Sequence, residues 1–159
     1  MSTMKRILLA EDNPNDIELM MAALEESQLD NNVDVVRDGV EVLDYLFRRG
    51  RFADRSEGNP AVIFLDIKMP KVSGLEVLRE IRSSEQFHWI SVVMLTSSRE
   101  KRDIAESYEL RANGYVVKPV DFDEYAETVS ELGRFWGMRN EPPPESHIAE
   151  PRSCAAYAA

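Results

Sequence analysis

Long hydrophobic runs are missing from this chain of 159 residues, and with them any segment able to span a bilayer. The longest apolar stretches, Ile7-Leu8-Leu9-Ala10 and Ala61-Val62-Ile63-Phe64-Leu65, fall far short of the ~20 residues a membrane helix requires. Met1-Ser2-Thr3-Met4-Lys5-Arg6 leads into only four apolar residues before Glu11, too few for a signal peptide, so a cytoplasmic protein is the simplest expectation. Cysteine is nearly absent: Cys154 stands alone, has no internal disulfide partner and fits a reducing compartment. His88 and His147 lie far apart, and no Cys/His pattern has zinc-ligand spacing. Positive charge is outnumbered, with 19 Lys and Arg against 29 Asp and Glu. The formal net charge is −10, which repels nucleic acid, and the one dense basic run, Arg48-Arg49-Gly50-Arg51, reads as a solvated loop. Neither G-x-x-x-x-G-K-[ST] nor G-x-G-x-x-G occurs, which argues against a nucleotide-binding protein.

What is present is a rhythm. Short apolar runs alternate five times with longer amphipathic stretches. Strands are predicted at Lys5 to Ala10, Asn32 to Arg37, Ala61 to Leu65, Ile90 to Leu95 and Gly114 to Val117. Helices are predicted at Asp16 to Ser27, Gly39 to Arg49, Gly74 to Ser83, Glu100 to Arg111 and Asp121 to Met138. The second helix carries Val40, Leu43, Leu46 and Phe47 on one side, and the last carries Phe122, Tyr125, Val129, Leu132 and Trp136 as its apolar stripe. Gly50 to Pro60 is a polar loop longer than a usual αβ connection. This (βα)5 alternation predicts an α/β, doubly wound, five-stranded parallel sheet over residues 1–138. Residues 139–159 form a proline-led tail or arm, opened by Glu141-Pro142-Pro143-Pro144, which favours extended backbone.

Ligands of such sheets bind beyond the carboxyl ends of the strands. Glu11 and Asp12 follow the first strand and Asp66 the third. A single strand-end carboxylate is ordinarily a helix cap. Three in one crevice repel one another unless a cation neutralises them, and an all-oxygen set suits a hard ion such as Mg²⁺. Thr96 closes the fourth strand and Lys118 the fifth, offering a hydroxyl donor and a compact cation to a phosphoryl oxygen.

Four separated segments resemble the response-regulator receiver family: Ile7-Leu8-Leu9-Ala10-Glu11-Asp12-Asn13; Leu65-Asp66-Ile67-Lys68-Met69-Pro70 with Gly74; Leu95-Thr96-Ser97; and Gly114-Tyr115-Val116-Val117-Lys118-Pro119. The resemblance covers about residues 4–138. It implies the flavodoxin-like receiver fold with strand order 2-1-3-4-5. Asp66 would be the phosphoacceptor, served by a histidine kinase or a small phosphodonor. Asp12 and Asp66 would bind Mg²⁺ directly, Glu11 through water, and the backbone carbonyl of Lys68 would complete the protein ligands. Lys118 would stabilise the transferring group, Thr96 and Tyr115 would form the switch pair, and the Lys118-Pro119 bond would be cis. The chain would then be a switch rather than an enzyme, limited to self-directed phosphotransfer and autodephosphorylation. Three positions depart from the commonest pattern, Glu11 in place of Asp, Lys68 two residues after the phosphoacceptor and Ser97 where a smaller residue is common, and they leave the lifetime of the phosphate open.

A narrower resemblance rests on Asp44-Tyr45-Leu46-Phe47-Arg48-Arg49-Gly50-Arg51-Phe52, on the segment from Leu65 to Leu78, and on Phe135-Trp136 followed by the proline run. These resemble the small regulators paired with phytochrome-type histidine kinases, which implies homodimers, no output domain and signalling through protein contacts, with a downstream phosphorelay protein as one recipient. Phe135 and Trp136 are read either as core closure or as a dimer face. Two rivals stand beside the switch. One is a phosphorylation-independent binding module. The other is a metal-dependent phosphatase with an Asp nucleophile, which commonly has a second Asp where Lys68 stands.

Overall fold

Five parallel strands lie in the order β2-β1-β3-β4-β5 in the computed structural model, which describes residues 5–144. They are β1 (Ile7–Ala10), β2 (Val33–Val36), β3 (Val62–Leu65), β4 (Ser91–Thr96) and β5 (Gly114–Val117). Five helices connect or follow them: α1 (Pro14–Glu26), α2 (Gly39–Phe47), α3 (Gly74–Ser83), α4 (Lys101–Glu109) and α5 (Phe122–Arg134). Every residue of β1, β3 and β4 is buried, as expected of parallel strands covered on both faces.

The two-residue period of the strands divides the core in two. Leu8, Ala10, Ile63, Leu65, Val92 and Met94 pack under α2 and α3. Ile7, Leu9, Val62, Phe64, Val93 and Leu95 face α1 and α5. Local sequence sets the helix starts. Asn13 accepts from the amides of Asn15 and Asp16 ahead of Pro14, and Asp38 accepts from Glu41 N at 2.8 Å. Ser73 and Glu76 make a reciprocal capping box, and Asp121 accepts from Glu124 N at 2.9 Å.

Some sequence expectations need correction. The buried face of α2 is Gly39, Val42, Tyr45 and Leu46, whereas Val40 and Phe47 stand exposed, Phe47 edge-on to Phe87 with ring centres 4.9 Å apart. Phe122, the first residue of α5, is 66% exposed, so the buried stripe of that helix begins at Tyr125. Regular α-helix ends at Arg134, and a π-helical turn spans Phe135–Arg139. There Trp136 packs against the core while Phe135 is half exposed, so of the pair Trp136 alone closes the core. The Lys118-Pro119 bond is trans, the isomer favoured by roughly 0.5–1 kcal/mol in X-Pro bonds.

The long polar loop is held from two sides, by Arg55 within it and by Arg6, which donates to Ser56 Oγ at 2.5 Å and to Gly58 O at 3.3 Å. Arg55 donates from Nε to the Tyr45 carbonyl at 2.6 Å, reaches the carbonyls of Ser56 and Gly58, and lies over the Tyr45 ring. At the far end, Lys5 stitches the start of the sheet to the segment after α5, donating from its amide to Gly137 O at 2.8 Å and from Nζ to Asn140 O at 2.8 Å. Glu141 to Pro144 has no regular secondary structure, and the remainder of the tail, with His147 and Cys154, lies outside the described residues. Among the described residues no helix is long and apolar enough to cross a membrane.

Candidate functional site

Strand register brings the acidic residues to one rim. Ala10 pairs with Leu65, so Glu11 and Asp66 leave the sheet side by side, and Asp66 N donates to Ala10 O at 3.1 Å. One carboxylate oxygen each from Glu11, Asp12 and Asp66 lies within 4.8 Å of the others. Glu11 is 1% exposed and Asp66 7% exposed, with Asp12 partly open at the mouth. The loop after Asp66 folds back so tightly that Gly74 N donates to Ile67 O at 2.8 Å, and the capping box of α3 fixes the return. Lys68, two residues beyond Asp66, has an exposed side chain.

Lys118 arrives from β5, where its amide bonds to Thr96 O at 2.8 Å. Its ammonium is 7% exposed and donates to Asp66 Oδ2 at 3.1 Å, to Asp16 Oδ2 at 2.9 Å and, in the shortest of the three contacts, to Glu11 Oε2. An ammonium has three N–H groups, and all three are used. These carboxylates hold its pKa well above the ordinary lysine value despite burial. Glu11 moves the other way from most paired carboxylates. Burial first, and then the charge of Asp66, push it up to about 7 against the pull of Lys118.

Three carboxylates, Glu11, Asp16 and Asp66, therefore share one ammonium, and Asp12 adds a fourth negative charge beside Glu11 and Asp66. The donors are hard oxygens, they crowd together with an excess of negative charge, and one of them is already strained toward protonation. That donor set fits a hard divalent cation with water filling its open positions.

Thr96 and Tyr115 are joined through Ser98 rather than through the acidic cluster. The buried Thr96 hydroxyl accepts from Ser98 N at 3.3 Å, and the Tyr115 hydroxyl donates to Ser98 O at 2.9 Å. Ser98 Oγ donates to the buried Asp103 at 2.6 Å and accepts from Glu100 N at 3.3 Å, substituting for the side-chain cap that α4 lacks at Glu100. Burial raises the Tyr115 phenol above its ordinary pKa.

The structure thus assembles Glu11, Asp12, Asp66 and Lys118 as the sequence predicts. Asp16, Ser98 and Asp103 escaped the sequence reading. Asp16 carried one usable signal: three residues past the Asn13 cap, a first-turn side chain on α1 lies beside the end of β1.

Residues 7–130 match the response regulator receiver domain family. Response regulator Rcp1 of Synechocystis is 34% identical over 132 residues, covering 83% of this chain and 88% of that protein. A crystal structure of its Mn²⁺-bound form aligns with a TM-score of 0.80 at 33% identity, covering 88% of this chain and 99% of that one. The phosphorylated cyanobacterial phytochrome response regulator RcpA is 37% identical with a TM-score of 0.82, covering 89% and 100% of the two chains. The bacteriophytochrome response regulator RtBRR is 57% identical with a TM-score of 0.70, covering 92% and 89%.

Proposed function

This chain belongs to the response regulator receiver domain family, and from that membership we propose that it is a cytoplasmic phosphoacceptor switch charged on Asp66 by a histidine kinase of the phytochrome type. The observation that carries the reading is the ammonium of Lys118 held against Asp66 inside a cluster of three carboxylates. Likeness to regulators whose names specify phytochrome signalling supports the choice of kinase class.

Asp12 and Asp66 would hold Mg²⁺ directly and Glu11 through water, with the Lys68 backbone carbonyl as the remaining protein ligand. When bound, the ion would supply charge neutralisation at the phosphoryl oxygens. An Asp66 carboxylate oxygen attacks phosphorus in line with the donor bond. The P–N bond of phosphohistidine, or the P–O bond of a small acyl phosphate, breaks and its electron pair leaves with the donor. Lys118 meets the charge on the transferring group, as phosphoryl transfer requires. Thr96 then donates its hydroxyl to the new phosphate, the Ser98 loop shifts, and Tyr115 reports the shift to the face of α4 and β5. Output passes through protein contacts, to a second copy of the chain or to a downstream phosphorelay protein.

Incubation with acetyl phosphate and Mg²⁺ tests the reading by intact mass. One phosphoryl group should be gained, stable in acid and labile in base, and Asp66→Asn should gain none. An unchanged wild-type mass with either donor, acetyl phosphate or a phosphorylated kinase, would favour the phosphorylation-independent binding module.

A further inference from the structure

Tyr125 is buried to 4% exposure on α5, and among the described residues its hydroxyl is the buried side-chain polar atom without a hydrogen-bond partner. It lies where the charges of Lys118, Asp16, Glu11 and Asp66 all reach it, on the α1 and α5 side of the sheet. A phenol donor left unused in the interior costs roughly 1–3 kcal/mol, so a state in which it finds an acceptor is favoured by a similar amount.

Asp16 is the acceptor that a change at Asp66 sets free. Lys118 divides its three N–H groups among Glu11, Asp66 and Asp16. Glu11 and Asp66 belong to the convergent oxygen group and Asp16 does not. Asp16 is also the most exposed of the three, with 30% of its side chain open to solvent, so its contact is the least costly to break. A phosphoryl group on Asp66 places its negative oxygens beyond the present carboxylate, and the ammonium is drawn toward them.

We propose that Tyr125 and Asp16 form a hydrogen-bond exchange: Asp16 restrains Lys118 in the resting protein, and on phosphorylation Lys118 turns to the phosphoryl oxygens while the Tyr125 hydroxyl donates to the released Asp16. Both are positioning residues, acting on the phosphoryl group through Lys118. The inference rests on the phosphoacceptor reading of Asp66 and extends it to two residues outside the metal set.

Beryllium fluoride with Mg²⁺ is the probe, since it mimics an aspartyl phosphate without hydrolysing, and its occupancy is read by fluorine NMR. Tyr125→Phe should bind the mimic roughly ten- to a hundredfold more weakly, the loss of about one hydrogen bond to a charged acceptor. Its resting thermal stability and its affinity for Mg²⁺ alone should stay at the wild-type values, because no bond is lost in that state. In an Asp16→Ala background, Tyr125→Phe should have no further effect, closing a double-mutant cycle. Equal mimic affinity in wild type and Tyr125→Phe overturns the exchange. So does a loss that persists undiminished without Asp16, or a drop in resting stability. A separate control, Asp66→Asn, must abolish mimic binding; its failure would remove the phosphoacceptor assignment itself.

Discussion

Gly74 stands directly over the backbone of Asp66: a Cβ added to it would lie 2.0 Å from the Asp66 carbonyl oxygen and 2.9 Å from Ile67 Cα. The contact is backbone against backbone, so neither side can move without displacing the start of α3 or the end of β3. The proposed phosphoacceptor is thus held by a missing side chain.

Gly74→Ala should therefore be costly. Overpacking of this kind destabilises by about 1–3 kcal/mol, more when the obstacle is rigid. We expect a lower urea midpoint and slower phosphorylation by acetyl phosphate. A variant with wild-type midpoint and rate would show that the loop is free to yield.

Divalent ion should stabilise the fold. At Mg²⁺ concentrations about a hundredfold above the dissociation constant, linkage gives about 2.7 kcal/mol. Thermal unfolding with and without EDTA measures it. Asp12→Asn and Asp66→Asn should each lose most of the effect, whereas Asp103→Asn, a buried carboxylate outside the cluster, should retain it.

Glu11 makes stability pH-dependent in the chelated protein. Its folded pKa of about 7 lies above the unfolded value, so folding is favoured most when the carboxyl is protonated. That contribution is complete below the unfolded pKa near 4.5 and is lost as pH rises through about 7. Glu11→Gln should flatten this part of the profile, by about 1–3 kcal/mol, when urea midpoints are compared across that window in EDTA. A parallel slope in both proteins would assign the dependence to other groups.

Arg82 ties α3 to two other segments, the loops that enter β4 and β5. Its guanidinium donates to the carbonyls of His88, Ile90 and Arg111 and to Asn113 Oδ1, at 2.7–3.2 Å. Burial and the neighbouring Arg111 lower its pKa to about 10, a cost its four acceptors offset. Arg82→Ala should destabilise by about 2–4 kcal/mol, and Arg82→Lys should recover only part, because an ammonium cannot reproduce the planar fork.

Ser98→Ala removes the surrogate cap of α4 and leaves the buried Asp103 without its donor. Amide exchange across Lys101 to Ile104 should accelerate about tenfold or more, corresponding to about 1–2 kcal/mol, while exchange in α1 stays unchanged.

Much of this architecture was legible because the strands are short, apolar and bounded by the residues that matter. Leu65-Asp66 and Val117-Lys118 mark both the end of a strand and a member of the site. What escaped depends on distance in sequence. Asp16 contacts Lys118 across 102 residues, and nothing in its neighbourhood distinguishes it from an acidic side chain favoured at any helix start. Periodicity also overreached at helix ends. Phe122 and Phe47 continue an apolar spacing, yet each lies at a helix terminus and stands exposed. Strand alternation gives no sign that Ser98 would serve Thr96, Tyr115 and Asp103 together, since a loop serine has no period to reveal it. The isomer of the Lys118-Pro119 bond is likewise set by tertiary context.

The stitch between Lys5 and the residues following α5 has a geometric consequence for whatever is attached there. In a parallel sheet all strands begin at one pole and end at the other, and four extended residues separate the poles by roughly 15 Å. Lys5 and Asn140 are pinned at the entry pole, while Asp66 and Lys118 occupy the exit pole. A fluorophore, tag or fused partner joined directly at Pro144 would therefore start on the hemisphere opposite the acidic rim, away from the approach of a phosphodonor.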